Sequence, residues 1–556
     1  MSFIGKIVSL CAGWKNFWRR KSMKTDKIAR GTALLLSALL TAASLSGCAE
    51  KTASVSTNGS KLKLNGKSIY PIRCEDTLSC MMSTSSQWSS QYANFGDTPI
   101  AKKLSENTGV SVSYIHPEAG KEAETLSGML AAGNLPDMIR YNWNSYEGGA
   151  QKAAADGYIL SLGEMMKAWS PALSAKLEEN PEWNREAKSS DGLYYTYPFF
   201  KGDNTLTVGS GLMLRNDWLQ KCGLSSPETV DDWEKTLTAF KNECGASKPL
   251  AGTQALYLMA CAYGTPKGWY HDGGTVKYGC FESGYKDFVQ KMADWYAKGL
   301  IDPEIAETPS KTIDAGFLSG DIGAVAGRIG SSMGKYLNTA KTAEGIEPGF
   351  DILPASFPVL QSGTKPEYGT CDSDVLPGMG TAISANCRNT ELAARFLDYG
   401  YTEEGQTLFN FGIRGESFDF DGEYPKYTDL ILNNPEGLSV DSALSAYTFV
   451  SGGPTIQKKE FAEQYYPFPA QTKALTVWNS NMTEHRLPDA SSENLTPEFL
   501  EDEEKISEYA DEMTIKFITG KKPISEYSDF TAQLENMGIR SIIQSKQKAY
   551  DDYLLR

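Results

Sequence analysis

The chain has 556 residues, 41% hydrophobic and 22% charged, a composition that fills sizeable cores and excludes the disordered and fibrous classes. At about 100–200 residues per domain, two large lobes accommodate it better than one body. The net charge is −15, yet the first 47 residues carry +7, with eight basic residues from Lys6 to Arg30 against Asp26, so the rest carries −22 and repels nucleic-acid phosphates and anionic lipid, which excludes a nucleic-acid partner.

Basic residues run to Arg30, and the apolar stretch from Gly31 to Leu45 follows, the n-region and h-region of a secretory signal. Met23 opens a more ordinary n-region, so residues 1–22 read as an over-extended start. The apolar stretch is cut off by Ser46, Gly47 and Cys48, short of the about 20 residues that a bilayer-crossing helix needs. Leu45-Ser46-Gly47-Cys48 resembles a bacterial lipobox, which implies cleavage after residue 47 and acylation, as by palmitate, of Cys48. Residues 48–65 are small and polar and read as a flexible tether. Export permits disulfides among Cys74, Cys80, Cys222, Cys244, Cys261, Cys280, Cys371 and Cys387. Cys74 and Cys80 are the closest pair in sequence, and buried free thiols are an equal alternative. Without a CxxC, zinc-ribbon and thioredoxin-like readings fall away.

Along the body, Asp97-Thr98-Pro99 with Ile100, Leu104 and Gly109 predicts a capped helix, and Val110–Ile115 alternates as a strand does. A second helix is predicted over Lys121–Ala132, then a strand over Met138–Tyr141. Thr229 caps a helix with Asp231 and Asp232 in its first turn and Trp233, Leu237 and Phe240 on one face. Phe288, Met292, Trp295 and Tyr296 stripe another, ended by Gly299. Thr390 starts the next and Thr402-Glu-Glu404 the one after it. The tail holds three more, over Ile506 to Phe517, Phe530 to Met537, and Ile542 to Leu554. Alternating helices and strands argue for α/β sheets, with ligands beyond the carboxyl ends of the strands.

Catalytic spacings are missing. GxSxG and HExxH are absent, and His116, His271 and His485 are isolated. Gly209-Ser210-Gly211 reads as a flexible triplet. Gly330-Ser-Ser-Met-Gly334-Lys335-Tyr336 has three residues where a phosphate loop has four, and Gly378-Met-Gly380 lacks the third glycine of a dinucleotide fingerprint. No cofactor or metal is expected. Asp419-Phe-Asp421-Gly422-Glu423 alternates oxygen ligands as calcium loops do, but a turn at Asp421-Gly422 accounts for it better. With 68 acidic residues from Cys48 onward, a spatial pair of carboxylates for glycoside hydrolysis stays open.

Several segments, taken in order, carry a family resemblance. They are Thr108-Gly-Val110, Leu130-Ala-Ala-Gly-Asn-Leu-Pro-Asp137, Asp191-Gly-Leu-Tyr-Tyr-Thr-Tyr-Pro198, Leu212-Met-Leu-Arg-Asn-Asp-Trp-Leu219, Lys298-Gly-Leu-Ile-Asp-Pro-Glu304, Phe317-Leu-Ser-Gly320 and Asn389-Thr-Glu-Leu-Ala-Ala-Arg-Phe-Leu397, with Glu403-Glu-Gly-Gln406, Lys516-Phe-Ile-Thr-Gly520 and Met537-Gly-Ile539 after them. The chain resembles the family 1 extracellular solute-binding lipoproteins of bacterial ABC importers, in the long Gram-positive branch associated with oligosaccharides. The resemblance implies a periplasmic-binding-protein type 2 fold of two α/β lobes, with hinge crossings near Tyr197–Leu212, Leu376–Ala385 and between Gly415 and Thr455. Lobe one is expected over 66–200 and 380–430, lobe two over 210–375 and 450–556. The implied activity is non-enzymatic: a monomeric receptor, lipid-anchored outside the cytoplasmic membrane, gives an oligosaccharide to the importer's membrane subunits. A surface glycoside hydrolase and a peptide or lipopeptide binder are the rival readings.

A sugar needs aromatic platforms for its C–H faces and fixed polar groups for its hydroxyls. Aromatics in loops after strands are the candidates: Trp143 with Asn142 after the strand ending at Tyr141, Trp88 in the polar loop Ser83–Ser90, and Trp269-Tyr270 in a glycine-rich loop. Arg328 follows the strand Ile322–Ala326, and Arg414 with Glu416 follows the helix ending at Phe411. Alanine at Trp143 is expected to weaken sugar binding while leaving the unliganded fold within a few degrees of its melting point.

Overall fold

The computed structural model describes residues 62–65, 68–342, 346, 349–450, 453–489 and 496–556. The signal segment 1–47, the acylation site Cys48 and the tether up to residue 61 lie outside the described residues. In chain order the strands begin with β1 (Lys63–Asn65), β2 (Ser68–Arg73), β3 (Thr77–Met81), β4 (Ser111–Ile115), β5 (Met138–Asn142) and β6 (Tyr197–Lys201). Next come β7 (Ser210–Arg215), β8 (Lys248–Leu250), β9 (Trp269–Asp272), β10 (Thr275–Tyr278), β11 (Ile322–Arg328) and β12 (Ile352–Ala355). The last are β13 (Val375–Ile383), β14 (Phe418–Asp421), β15 (Tyr424–Tyr427) and β16 (Ile456–Gln457). Strand β1 pairs antiparallel with β2, so regular structure begins inside the stretch expected as tether.

Local signals set the helices. Thr98 accepts from the Ala101 amide at the head of helix Pro99–Thr108, and Gly109 ends it in the left-handed conformation. Thr229 and Asp232 form a reciprocal capping box on Val230–Glu243, which buries Trp233, Leu237 and Phe240. Asn389, one residue ahead of the expected start, caps Thr390–Asp398. That helix ends in the buried Asp398, whose carboxylate accepts from the Ala172 and Leu173 amides, 3.1 and 2.8 Å away, at the head of helix Pro171–Glu179. Burial pushes the carboxyl up to about 6, against the pull of those amides. Among the described residues, no helix is long and apolar enough to cross a membrane.

Two sheets carry the architecture. The six-stranded sheet runs β16-β6-β13-β5-β3-β4, with β13 antiparallel to both neighbours and the β3–β4, β3–β5 and β6–β16 pairs parallel. The four-stranded sheet runs β12-β7-β11-β8, with β11 and β8 parallel. One large core packs the four-stranded sheet against helices Gly284–Ala297, Pro469–Val477 and Pro497–Ile518, through Phe288, Trp295, Trp478 and Phe517. A second packs one side of the six-stranded sheet through Leu78, Ile100, Tyr197, Phe396 and Phe409, and a smaller one holds Met81, Ile139, Tyr141 and Trp143. Strand β13 lies in the six-stranded sheet, as does β16, although Val375 and residues 456–457 were expected with the second lobe and Leu376–Ala385 as a crossing. Asp372, ahead of β13, ties the sheets together. Its Oδ2 receives Lys201 Nζ from the end of β6 at 3.2 Å and Arg328 Nη1 from the end of β11 at 3.3 Å.

The Gly209-Ser210-Gly211 triplet is no flexible hinge, because Ser210 and Gly211 open β7. Gly211 is glycine because Trp478 lies flat where a side chain would be: an added Cβ would sit 2.3 Å from the ring. Trp478 is fully buried and donates from Nε1 to the Leu212 carbonyl at 3.2 Å. Gly211→Ala should therefore cost about 1–3 kcal/mol through overpacking, read as a lowered midpoint in urea with unchanged slope; a midpoint equal to that of the wild type contradicts this packing.

Candidate functional site

At the carboxyl end of β5 the chain makes a tight turn over Trp143–Ser145, with Asn142 Oδ1 accepting from the Asn144 amide at 3.2 Å. Next to it β13 breaks its pairing with β6 between Val375 and Gly380, while it stays in register with β5 from Met379 opposite Asn142 to Ile383 opposite Met138. Such a bulge re-aims a strand beside a site. Gly378 takes a φ of +68° there, and an added Cβ would strike Asn144 at 2.4 Å. The turn, the bulge, the segment 186–189 and the approach to β6 enclose a cavity of about 710 Å³. Its lining combines Trp143, Tyr146 and Tyr195 with Asn144, Gln151, Ser189, Thr196 and Ser373, plus Glu186, Lys188 and Asp489.

Trp143 lines this cavity but is only 2% exposed, edge-on to Tyr141 with ring centroids 5.5 Å apart. Its Nε1 is buried with no hydrogen-bond partner among the described residues. An indole N–H can only donate, and leaving it unpaired costs about 1–3 kcal/mol. The burial also corrects the expectation for alanine. Emptying a site packed with Ile139 and Ala382 should cost about 3–5 kcal/mol of fold stability.

A polar chain links the lining residues Glu186, Ser373 and Asp489. Arg486 pairs with Glu186, their side chains 12% and 4% exposed, and donates from Nη1 to Ser373 Oγ at 2.9 Å. Ser373 donates to Asp489 Oδ2 at 2.8 Å, and Glu186 Oε2 accepts from the Val375 amide at 3.3 Å. Beside it, Lys188 Nζ donates to the Arg556 carbonyl at 2.7 Å and Arg556 Nη1 returns to the Lys188 carbonyl at 2.9 Å. Burial pushes the Glu186 carboxyl up, against the opposing pull of Arg486.

Of the other candidates, Asn142 shapes the turn beside the cavity, and the rest lie elsewhere. Trp88 is core: buried in helix Ser86–Ser89, it packs on Phe95 and His116 at 5.8 and 5.0 Å. Trp269 and Tyr270 belong to strand β9, hairpinned to β10 across Gly273-Gly274, rather than to a loop. Tyr270 is buried and donates to the Gly264 carbonyl at 3.1 Å, while Trp269 packs tilted against Tyr278, ring centroids 4.7 Å apart, beneath the Lys546 ammonium. Arg328 is committed to Asp372. Arg414 pairs with Asp419 at 3.1 Å on the exposed β14–β15 hairpin, where Gly422 lies in the turn, and exposed Glu416 accepts from Thr428 through its carbonyl. Among the described residues no cluster of three or more His, Cys, Asp or Glu is disposed to hold a metal. Glu186 and Arg486, 300 residues apart, gave no local signal. The Gly378-Met-Gly380 pair did, as a mark of close approach rather than of a nucleotide.

Arg486→Ala leaves Glu186 buried without its partner and should cost about 3–5 kcal/mol near neutral pH. Because the folded-state pKa of Glu186 lies above its unfolded value, the folded state favours the acid form, so this group's contribution falls as pH rises past the usual carboxylate range. The deficit of the variant should thus be larger at pH 8 than at pH 5 in chemical denaturation, and Glu186→Gln added to it should flatten that difference. Equal deficits at both pH values contradict the pairing.

The model described as bacterial extracellular solute-binding protein matches residues 93–407. Over 564 aligned residues the chain is 26% identical to the fructooligosaccharide ABC transporter substrate-binding protein FusA of Streptococcus pneumoniae serotype 4, covering 94% of this chain and 98% of FusA. It is 23% identical over 460 residues to lipoprotein LipO of Bacillus subtilis, covering 79% and 82%. An extracellular solute-binding protein from Bifidobacterium longum subsp. infantis superposes with a TM-score of 0.65 at 19% identity, over 86% of this chain and 98% of that one. The FusA EF-hand mutant in complex with fructo-nystose superposes with a TM-score of 0.57 at 22% identity, over 86% and 100%. The fold is that of type 2 periplasmic binding proteins, two α/β lobes with a ligand cleft, and it serves binding rather than catalysis. With more than half of its length matched by that one model, the chain belongs to the bacterial extracellular solute-binding proteins.

Proposed function

We propose that this chain is the solute-binding subunit of an ABC importer, and that it holds an oligosaccharide non-covalently in the cavity lined by Trp143 and passes it on unaltered. The observation that carries the reading is the pairing, in one 710 Å³ space, of an aromatic wall, in which the Trp143 N–H is buried and unpaired, with amide and hydroxyl side chains. A sugar presents C–H faces to such rings and hydroxyls to such groups, and every hydroxyl taken out of water needs a partner. The fructooligosaccharide-binding relative supports this ligand class. The lipobox at Cys48, together with a relative named as a lipoprotein, supports acylation there and tethering of a monomeric receptor outside the cytoplasmic membrane.

The lobes are assigned by sheet: 62–201 with 375–457 around the six-stranded sheet, and 210–355 with 469–556 around the four-stranded one. The crossings then fall at 201–210, 355–375 and beyond 457. Ligand closure selects the state in which both lobes touch the sugar, because only that state gains contacts from each side.

Trp143→Phe separates the indole donor from the bulk of the ring. It removes an unpaired N–H, so the unliganded melting point should hold better than in Trp143→Ala. Affinity for the bound member of an oligosaccharide panel, short fructans included, should fall about tenfold, or about 1.4 kcal/mol. Titration calorimetry reads this, and an unchanged Kd removes Trp143 from the site.

A further inference from the structure

We propose that Cys222 and Cys244 are joined by a disulfide in the exported protein. Their sulfurs lie 3.5 Å apart, at the carboxyl ends of the consecutive helices Asn216–Lys221 and Val230–Glu243. Cys74 and Cys80, the nearest pair in sequence, are committed elsewhere: Cys80 is buried in the core, and Cys74 Sγ accepts from the Asp76 amide at 3.4 Å.

Packing holds the two helix ends in place whether or not the bond exists. Trp218 and Leu219 of the first helix and Trp233, Leu237 and Phe240 of the second are buried in one core, with Trp218 edge-on to Phe240 at 5.4 Å. The backbone is thus held, and the 3.5 Å between the sulfurs is the gap that a bond of about 2.05 Å has to close. Family membership sets the redox compartment: an extracellular protein meets the oxidising conditions in which disulfides persist. Burial, with the neighbouring Cys222 thiol, pushes Cys244 up to about 12, so Cys244 itself is a poor nucleophile in the folded chain.

The chemistry balances against a disulfide donor. The two thiols give up two protons and two electrons to the disulfide of an extracellular thiol–disulfide oxidoreductase, or of oxidised glutathione in vitro. That disulfide becomes two thiols as the Cys222–Cys244 bond forms. The bond closes the loop that carries Ser225, Ser226 and Pro227 and restricts the unfolded chain more than the folded one.

The test takes the exported full-length protein, purified without reductant, alkylated and digested with trypsin unreduced. The peptides beginning at Cys222 and Asn242 should travel as one species, two hydrogens lighter than their sum. Both cysteines recovered as alkylated thiols, after export and again after refolding in oxidised glutathione, overturn the proposal. Reductant should also lower the melting point of the wild type by about 5 °C and leave Cys222→Ser/Cys244→Ser unmoved; an equal response from both proteins counts against the bond.

Discussion

The site depends on one long-range pairing. Strand β13 arrives from the far side of the four-stranded sheet in sequence and inserts antiparallel between β6 and β5, with Met379 opposite Asn142 and Thr381 opposite Tyr197 as well as Arg140. That register brings Gly378 against the turn that follows β5, and the missing Cβ admits Asn144. Shifting β13 by one residue would turn its side chains to the other face, close the bulge against the turn and fill the space beside Trp143. The cavity is a consequence of strand order before it is a consequence of any single lining residue.

Around that space the molecule separates two jobs. Trp143, Tyr141 and Ile139 form a small apolar cluster that keeps the turn rigid. The chain Glu186–Arg486–Ser373–Asp489 fastens a stretch near the C-terminal helices to the entrance of β13. A buried ion pair of this kind is weak evidence for stability in itself, since desolvation offsets most of the attraction. Its effect is positional, fixing where residues 486–489 lie relative to the cavity. Asp372, held by Lys201 and Arg328 from the two sheets, does the same between the ends of β6 and β11.

Local chemistry was legible in the sequence and tertiary placement was not. The Thr98, Thr229 and Thr402 caps and the apolar stripes of the tail are properties of a few neighbouring residues, and they mark the helices that form. Trp88 sits among serines and glutamine, as a loop aromatic would, but its burial comes from Phe95 and His116 on later segments. The Gly273-Gly274 pair between alternating residues was a usable hairpin signal that would have moved Trp269 and Tyr270 from loop to strand. Arg328 and Arg414 follow strand and helix ends as binding arginines do, yet each has a carboxylate supplied by the fold. Trp143 was singled out because a turn at the end of a central strand is where α/β sheets bind ligands; its depth of burial was not legible, because that depends on neighbours from β13.

Hydrogen–deuterium exchange of the whole chain, with and without a saturating oligosaccharide recovered intact afterwards, tests the central claim most directly. The account predicts slowed exchange over residues 143–151, 186–198 and 373–379, with the amides around Trp269 and Arg414 unchanged. Protection centred on those other segments with the cavity walls unaffected, or a shortened sugar in the recovered ligand, contradicts it.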